Sequence, residues 1–210
     1  MNCKENTCCG QCGKCGERGF VSVSTVVGSM VPDITLDAYH EDKETKVTLS
    51  DYRGKWLILF FYPKDFTFVC PTELEDMAAH YEKFKKEGAE IIAISTDTVQ
   101  VHKAWHDVSE AVGKVSFPMA ADPTHTLTRA LGVHVEEAGV ALRGSFIINP
   151  EGEIVSMEVN ADAIGRNAAE LLRRLQAAKF AQEHGGNVCP ANWHPGDDTL
   201  KPGLDLVGKI

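Results

Sequence analysis

This chain reads as an α/β fold of three layers, with a mixed β-sheet in the middle and an extended C-terminal arm. Three observations predict it. Two apolar runs, Lys55–Tyr62 and Glu90–Ser95, are each followed by apolar residues three and four apart, the strand, helix, strand, helix order of a parallel βαβ unit. Two further runs, Ser145–Asn149 and Glu153–Val159, flank Pro150-Glu151-Gly152, which predicts an antiparallel pair joined by a tight turn. From Gly185 to Ile210, Gly and Pro recur too often for any regular element, so this stretch is an arm that needs another surface to lie on.

Element by element, Lys55–Tyr62 is apolar on both alternating sets of positions, as suits a central strand covered on both faces. Pro71, Leu74, Met77, Ala78, Tyr81 and Phe84 form one stripe, and Lys83, Lys85, Lys86 and Gly88 supply the stop signal of an amphipathic helix. A second buried strand, Glu90–Ser95, leads to a helix over Val99–Val112 with His102 and Trp105 on one face. Gly165–Glu183 is the closing helix. These elements together suggest a thioredoxin-like sandwich. Residues 1–27 are a Cys/Gly-rich appendage without material for a core, 28–184 the compact domain and 185–210 the arm.

With 21 Lys+Arg against 30 Asp+Glu the net charge is −9, which argues against a nucleic-acid partner. Hydrophobic residues make up 43% of the chain, enough for a core, yet the longest apolar run falls far short of the roughly 20 residues of a membrane helix. No secretory pattern opens the sequence, so a reducing cytoplasmic setting is expected. There, seven cysteines do not read as a structural disulfide framework.

Cys70 falls in the first turn of the first helix, beside Pro71, which is at home there. The unpaired amides and dipole of a helix start favour an anion. A typical cysteine is only about 3% thiolate at neutral pH, and lowering its pKa to about 6.5 takes roughly 2.7 kcal/mol. A helix end supplies only about 0.3–1 kcal/mol. A cation must contribute the rest, and Arg143, just before the strand at Ser145, is the candidate. The competing reading, a lone cysteine as a small buried hydrophobe, fits the strand-to-helix position less well. Three residues on stands Glu73 rather than a second cysteine, which disfavours a disulfide reductase and favours attack on a small electrophile such as a peroxide.

The pattern Pro63-x-x-x-Thr67-x-x-Cys70 with Arg143 downstream resembles the active-site signature of peroxiredoxins, and Asp65-Phe-Thr-Phe-Val-Cys-Pro-Thr-Glu73 that of their typical two-cysteine group. The likeness runs from about Gly28 to Ile210 and includes Gly185-Gly-Asn-Val-Cys-Pro-Ala-Asn-Trp193. It implies that Cys70 is the peroxidatic nucleophile, with Thr67 hydrogen-bonding the peroxide, Pro63 shielding the pocket and Arg143 holding thiolate and peroxide. Cys189 of a partner subunit would resolve the sulfenic acid to an intersubunit disulfide in a homodimer, often assembled into a decameric ring. An external dithiol, thioredoxin or a dedicated flavoprotein disulfide reductase, would recycle it, with no cofactor in the peroxidase step. The family's Gly-Gly-Leu-Gly insertion and C-terminal Tyr-Phe helix are missing from this sequence, which implies resistance to sulfinic inactivation. A peroxide sensor or a redox-regulated holdase is the alternative class.

Cys3, Cys8, Cys9, Cys12 and Cys15 depart from that family pattern. Their spacing partly matches zinc or iron–sulfur sites, Cys12-Gly-Lys-Cys15 could relay electrons, and a tail without specific function is the third reading. His102 and His106 are four apart without a third ligand in register, so packing is expected of them rather than metal binding.

Overall fold

The computed structural model describes residues 26–209 of the chain, so the five N-terminal cysteines lie outside the described residues. In chain order the elements are β1 (Thr35–His40), β2 (Lys43–Thr48), β3 (Trp56–Phe61), α1 (Cys70–Lys86), β4 (Ala89–Ser95), α2 (Val99–Val108) and β5 (Met119–Ala121). Then follow α3 (Thr126–Ala130), β6 (His134–Val135), β7 (Val140–Ala141), β8 (Arg143–Ile148), β9 (Ile154–Asn160) and α4 (Ala168–Glu183). Seven strands form one mixed sheet in the order β2-β1-β5-β4-β3-β8-β9, and β6 pairs with β7 alone. The β3–β4 and β4–β5 pairs are parallel, whereas β8 lies antiparallel to β3 and β9 antiparallel to β8. This is the thioredoxin-like plan.

All six residues of β3 are buried because its alternating sets feed two cores. Ile58 and Phe60 join Ile91, Ala93 and Ile147 under Leu74, Met77 and Phe84 of α1, Trp105 of α2 and Leu171 and Leu175 of α4. Leu57, Leu59 and Phe61 face the other way, with Ile92, Ile94, Phe146 and Ile148, beneath α3 and the segments around Val31 and Leu49. The layers are therefore unequal: three long helices cover one face, and one short helix with loops covers the other. Among the described residues, no helix is long and apolar enough to cross a membrane.

The structure corrects the sequence reading at several boundaries. The second helix ends at Val108, not Val112: Ser109 turns extended, its hydroxyl accepts the Val112 amide, and a separate 3-10 turn follows at Val112–Lys114. The closing helix begins at Ala168, where the Asn167 side chain accepts the Glu170 amide as an N-cap. Residues Gly165–Asn167 thus lie outside the helix, and this frees Arg166 for another purpose. The β1–β2 hairpin was unread because its turn residues, Glu41 and Asp42, take positive φ without a glycine; β5 has only three residues.

Leu175 is fully buried between α4 and the sheet. Leu175→Ala should cost about 2–5 kcal/mol, read as a lower denaturant midpoint. A change below about 1 kcal/mol would mean that α4 contributes little to this core.

Candidate active site

β3 ends at Phe61, the chain crosses a loop, and α1 begins with Cys70. Because β8 runs antiparallel to β3, with Phe60 opposite Ser145, the start of β8 lies beside the end of β3. Ile147 faces the α1 side of the sheet, and the two-residue period of a strand places Ser145 and Arg143 on that same face. Arg143 therefore emerges next to the first turn of α1. Its Nη1 donates to Cys70 Sγ at 3.4 Å and to Glu73 Oε2 at 2.7 Å. Cys70 is 0% exposed.

Glu73, one helical turn beyond Cys70, is also buried and is held by a second arginine. Arg166 donates from Nε to Glu73 Oε1 at 2.8 Å, from Nη2 to Oε2 at 3.1 Å, and from its backbone amide to Oε1 at 2.9 Å. Its guanidinium lies over the Phe60 ring and also donates to the Gly144 carbonyl. Burial lowers the Arg166 pKa, against the opposing pull of Glu73. Burial pulls on Arg143 in the same direction, but the hydrogen bond to Cys70 and the charge of Glu73 outweigh it and its pKa is raised. The sequence alone does not give either role: it presents Glu73 as the residue that replaces a second cysteine, and its apolar pattern draws Arg166 into the closing helix, whereas Asn167 followed by Glu170, a capping signal, places Arg166 before it.

Pro63, Thr67 and Arg143 line one cavity of about 420 Å³, with Phe68, Val69 and Val140 among its other walls. Pro63 is buried, and the Thr67 hydroxyl donates to the Lys64 carbonyl at 2.9 Å. Four of the sequence-predicted residues are thus brought together: three line the cavity, and Cys70 is bonded to the third. Cys189 is not in this group. Its Sγ lies 3.7 Å from the Ala177 carbonyl of α4. Nearby, Trp193 is buried against Phe180, and its carbonyl accepts from Arg173. This part of the arm thus has a surface on its own chain, although Leu204 and Val207 remain exposed.

Helices α1 and α4 run side by side in the same direction: Asp76 accepts the Ala168 amide, while Glu87 accepts from Gln176 and Lys179. Cys70 therefore sits at one end of α1 and Cys189 near the other, roughly 20 Å apart along the axis at 1.5 Å per residue. A disulfide needs Cα atoms within about 7 Å. His102 and His106 act in packing. His102 bonds Asp65 and the Ala120 carbonyl, and His106 bonds Tyr39 and the Val115 carbonyl. Among the described residues, no group of three His, Cys, Asp or Glu could hold a metal ion.

Burial raises the Cys189 thiol, with Arg173 partly opposing it. Less of it is thiolate at neutral pH than in a free cysteine, so alkylation of Cys189 in a Cys70→Ser protein, followed peptide by peptide, should rise at higher pH than for a free thiol. A midpoint below the usual value of about 8.5 would contradict this.

The AhpC/TSA family matches residues 27–157, and the C-terminal domain of 1-Cys peroxiredoxin matches residues 177–207. The chain is 49% identical over 186 residues to alkyl hydroperoxide reductase C of Pseudomonas aeruginosa, covering 89% of this chain and 100% of that protein. Against the protein of the same name from Amphibacillus xylanus it is 49% identical over 187 residues, with the same coverage. Among solved structures, Enterococcus faecalis AhpC aligns with a TM-score of 0.78 and 48% identity, over 80% of this chain and 100% of that one. The reduced 2-Cys peroxiredoxin of Plasmodium vivax aligns with a TM-score of 0.83 and 31% identity, over 87% and 96%. The chain therefore belongs to the AhpC/TSA family, the peroxiredoxins that its sequence resembles.

Proposed function

We propose that Cys70 is the nucleophile of this thiol-dependent peroxidase, which reduces hydrogen peroxide and organic hydroperoxides. The observation that carries the reading is the buried contact of Cys70 Sγ with Arg143, itself fixed by Glu73. Among the buried side chains, Arg143 and Arg166 carry two positive charges against the one negative charge of Glu73, the Asp162 carboxylate on Arg143 being largely exposed, so a thiolate at Cys70 would bring the buried group to neutrality, which a low-dielectric site favours. The relatives' names favour an enzyme over a peroxide sensor or a redox-regulated holdase.

A peroxide binds in the cavity beneath Pro63. Its terminal oxygen meets the thiolate, and Thr67 Oγ, whose proton is directed to Lys64, accepts a hydrogen bond from the peroxide. Arg143 stabilises the charge as it moves from sulfur to the departing oxygen. The S–O bond forms as the O–O bond breaks, and the leaving alkoxide or hydroxide takes a proton to become alcohol or water. The sulfur is left as sulfenic acid. No cofactor enters this step.

Cys189 of a partner subunit then attacks the sulfenic sulfur. The separation of the two cysteines along α1 supports a partner over the same chain. The product is an intersubunit disulfide of a homodimer, assembled into a decameric ring, that a dithiol reductant, thioredoxin or a flavoprotein disulfide reductase, returns to the thiols. We read residues 28–184 as the peroxidase domain and 185–210 as the arm that delivers Cys189, in a cytoplasmic protein. Zinc or iron at Cys3, Cys8, Cys9, Cys12 and Cys15 is a separate proposal, tested by metal analysis of anaerobically purified protein against a chain shortened to start at Gly28; equal metal content would end it.

Cys70→Ser should abolish peroxide consumption; undiminished consumption would overturn the whole reading. Arg143→Ala should slow sulfenic acid formation by about twenty- to sixtyfold, matching the roughly 1.7–2.4 kcal/mol left to the cation once the helix end is counted, together with a loss of thiolate absorbance at neutral pH. Cys189→Ser should block peroxide-induced covalent dimers, and dimers still linked through Cys70 would remove Cys189 from the cycle.

A further inference from the structure

The loop from Pro63 to Val69 lines one side of the cavity through Pro63, Lys64, Thr67, Phe68 and Val69, yet it contains a bulky residue in the left-handed region, Phe66 at φ 54°. A conformation of that kind persists only when its surroundings fix it. The fixing groups lie behind the loop. Asp65, inside it, is buried, and its carboxylate accepts the Tyr62 hydroxyl at 2.8 Å and pairs with His102 Nδ1 at 2.7 Å. The side chains of Asp65 and His102 are both 0% exposed. The other His102 nitrogen, Nε2, lies 3.2 Å from the Ala120 carbonyl on β5. The Asp65 backbone amide donates to Asp97 Oδ2 at 2.8 Å, and that oxygen also accepts the Ser95 hydroxyl. Neither His102 nor Asp97 lines the cavity.

This arrangement has a kinetic consequence. The peroxide reaction needs the loop folded over Cys70. Disulfide formation needs it opened, since Cys70 is fully buried at the first turn of α1. In that step the S–S bond forms between Cys70 and Cys189, the S–O bond of the sulfenic acid breaks, and hydroxide leaves with the Cys189 proton as water. Any contact made only in the folded loop favours the first step and retards the second. We propose that His102 is a positioning residue whose bond to Asp65 sets this balance, and with it the time the sulfenic acid stays exposed to a second peroxide. The proposal rests on the roles of Cys70 and Cys189 given above.

His102→Gln and His102→Asn separate the two bonds of the ring. An Asn amide nitrogen falls near the position of Nδ1 and can still donate to Asp65, whereas a Gln amide nitrogen falls near Nε2 and reaches only Ala120. Rapid-quench mass spectrometry would follow Cys70 as thiol, sulfenic acid, disulfide and sulfinic acid in the full chain. For His102→Gln, disulfide formation should quicken relative to sulfenic acid formation by about tenfold in the ratio of the two rates, the effect of losing one charge-assisted hydrogen bond, and the sulfinic fraction should fall. His102→Asn should stay within about twofold of the unaltered protein in both steps. A ratio that does not rise would overturn the proposal. If His102→Gln does not fold, Asp97→Ala, which removes the acceptor of the Asp65 amide, should shift the ratio in the same sense, and an unchanged ratio there would overturn it equally. An unaltered protein that never oxidises at Cys70 would defeat the earlier reading instead.

Discussion

The site depends on the burial of a carboxylate between two guanidinium groups. Glu73 accepts from Arg143 on one oxygen and from Arg166 on both. Removing two arginines from water without a counter-charge would cost several kcal/mol for each ion, so the carboxylate is what allows the cations to be there at all. Once they are in place, the buried part of the group lacks one negative charge, and the buried atom bonded to Arg143 that can supply it is Cys70 Sγ. The helix start then adds to this effect rather than producing it, as the energies of the two contributions require. The Asp162 carboxylate also reaches Arg143 at 3.1 Å, but its side chain is 78% exposed, and an exposed partner in high dielectric counts for little beside Glu73.

Much of this was legible in the sequence, and the reason is periodicity. A buried strand, a helix with a clear stripe and a hairpin signal are each set by a repeat of two or of 3.6 residues, and those repeats survive in the primary structure. The same parity that puts Ile147 in the core puts Arg143 over α1. Glu73 and Arg166 were not legible in this way, because a long-range ion pair has no period. Glu73 is on the helix at a position that serves equally well for a surface carboxylate, and only the folded contact separates the two. The β1–β2 hairpin was missed for a different reason: Glu41 and Asp42 carry the left-handed turn that glycine or asparagine would have announced.

The roles proposed for Cys70 place two opposed demands on it, and the architecture keeps them on different parts of the chain. Holding a negative sulfur calls for fixed cations beside it, because burial by itself favours the neutral thiol, and the contacts of α1, β8 and Arg166 fix them. Passing an oxidised sulfur to a second thiol would call for exposure, and in the proposed cycle the loop before α1 is the segment that would move. That loop has no core of its own; among its aromatic rings, Phe66 only leans on Trp105 and Phe68 is 93% exposed. Its stability is therefore carried by polar contacts. Hydrogen bonds to buried charged groups contribute about 1.5–3 kcal/mol each, so each contact to Asp65 is a sizeable part of what holds the loop in this conformation.

Cys189, the second thiol of the proposed cycle, lies by the other end of α4. Cys189 is held near Ala177 by the packing of Trp193 on Phe180 and the bond from Arg173, an attachment of one aromatic residue and a few polar contacts. Such an attachment is far smaller than that of the central strands β3 and β8, whose residues are all buried. Burial there keeps the thiol protonated more than a free cysteine would be. In the proposed cycle, release of the arm would remove that burial, so delivering Cys189 to a partner subunit and raising its thiolate fraction would go together.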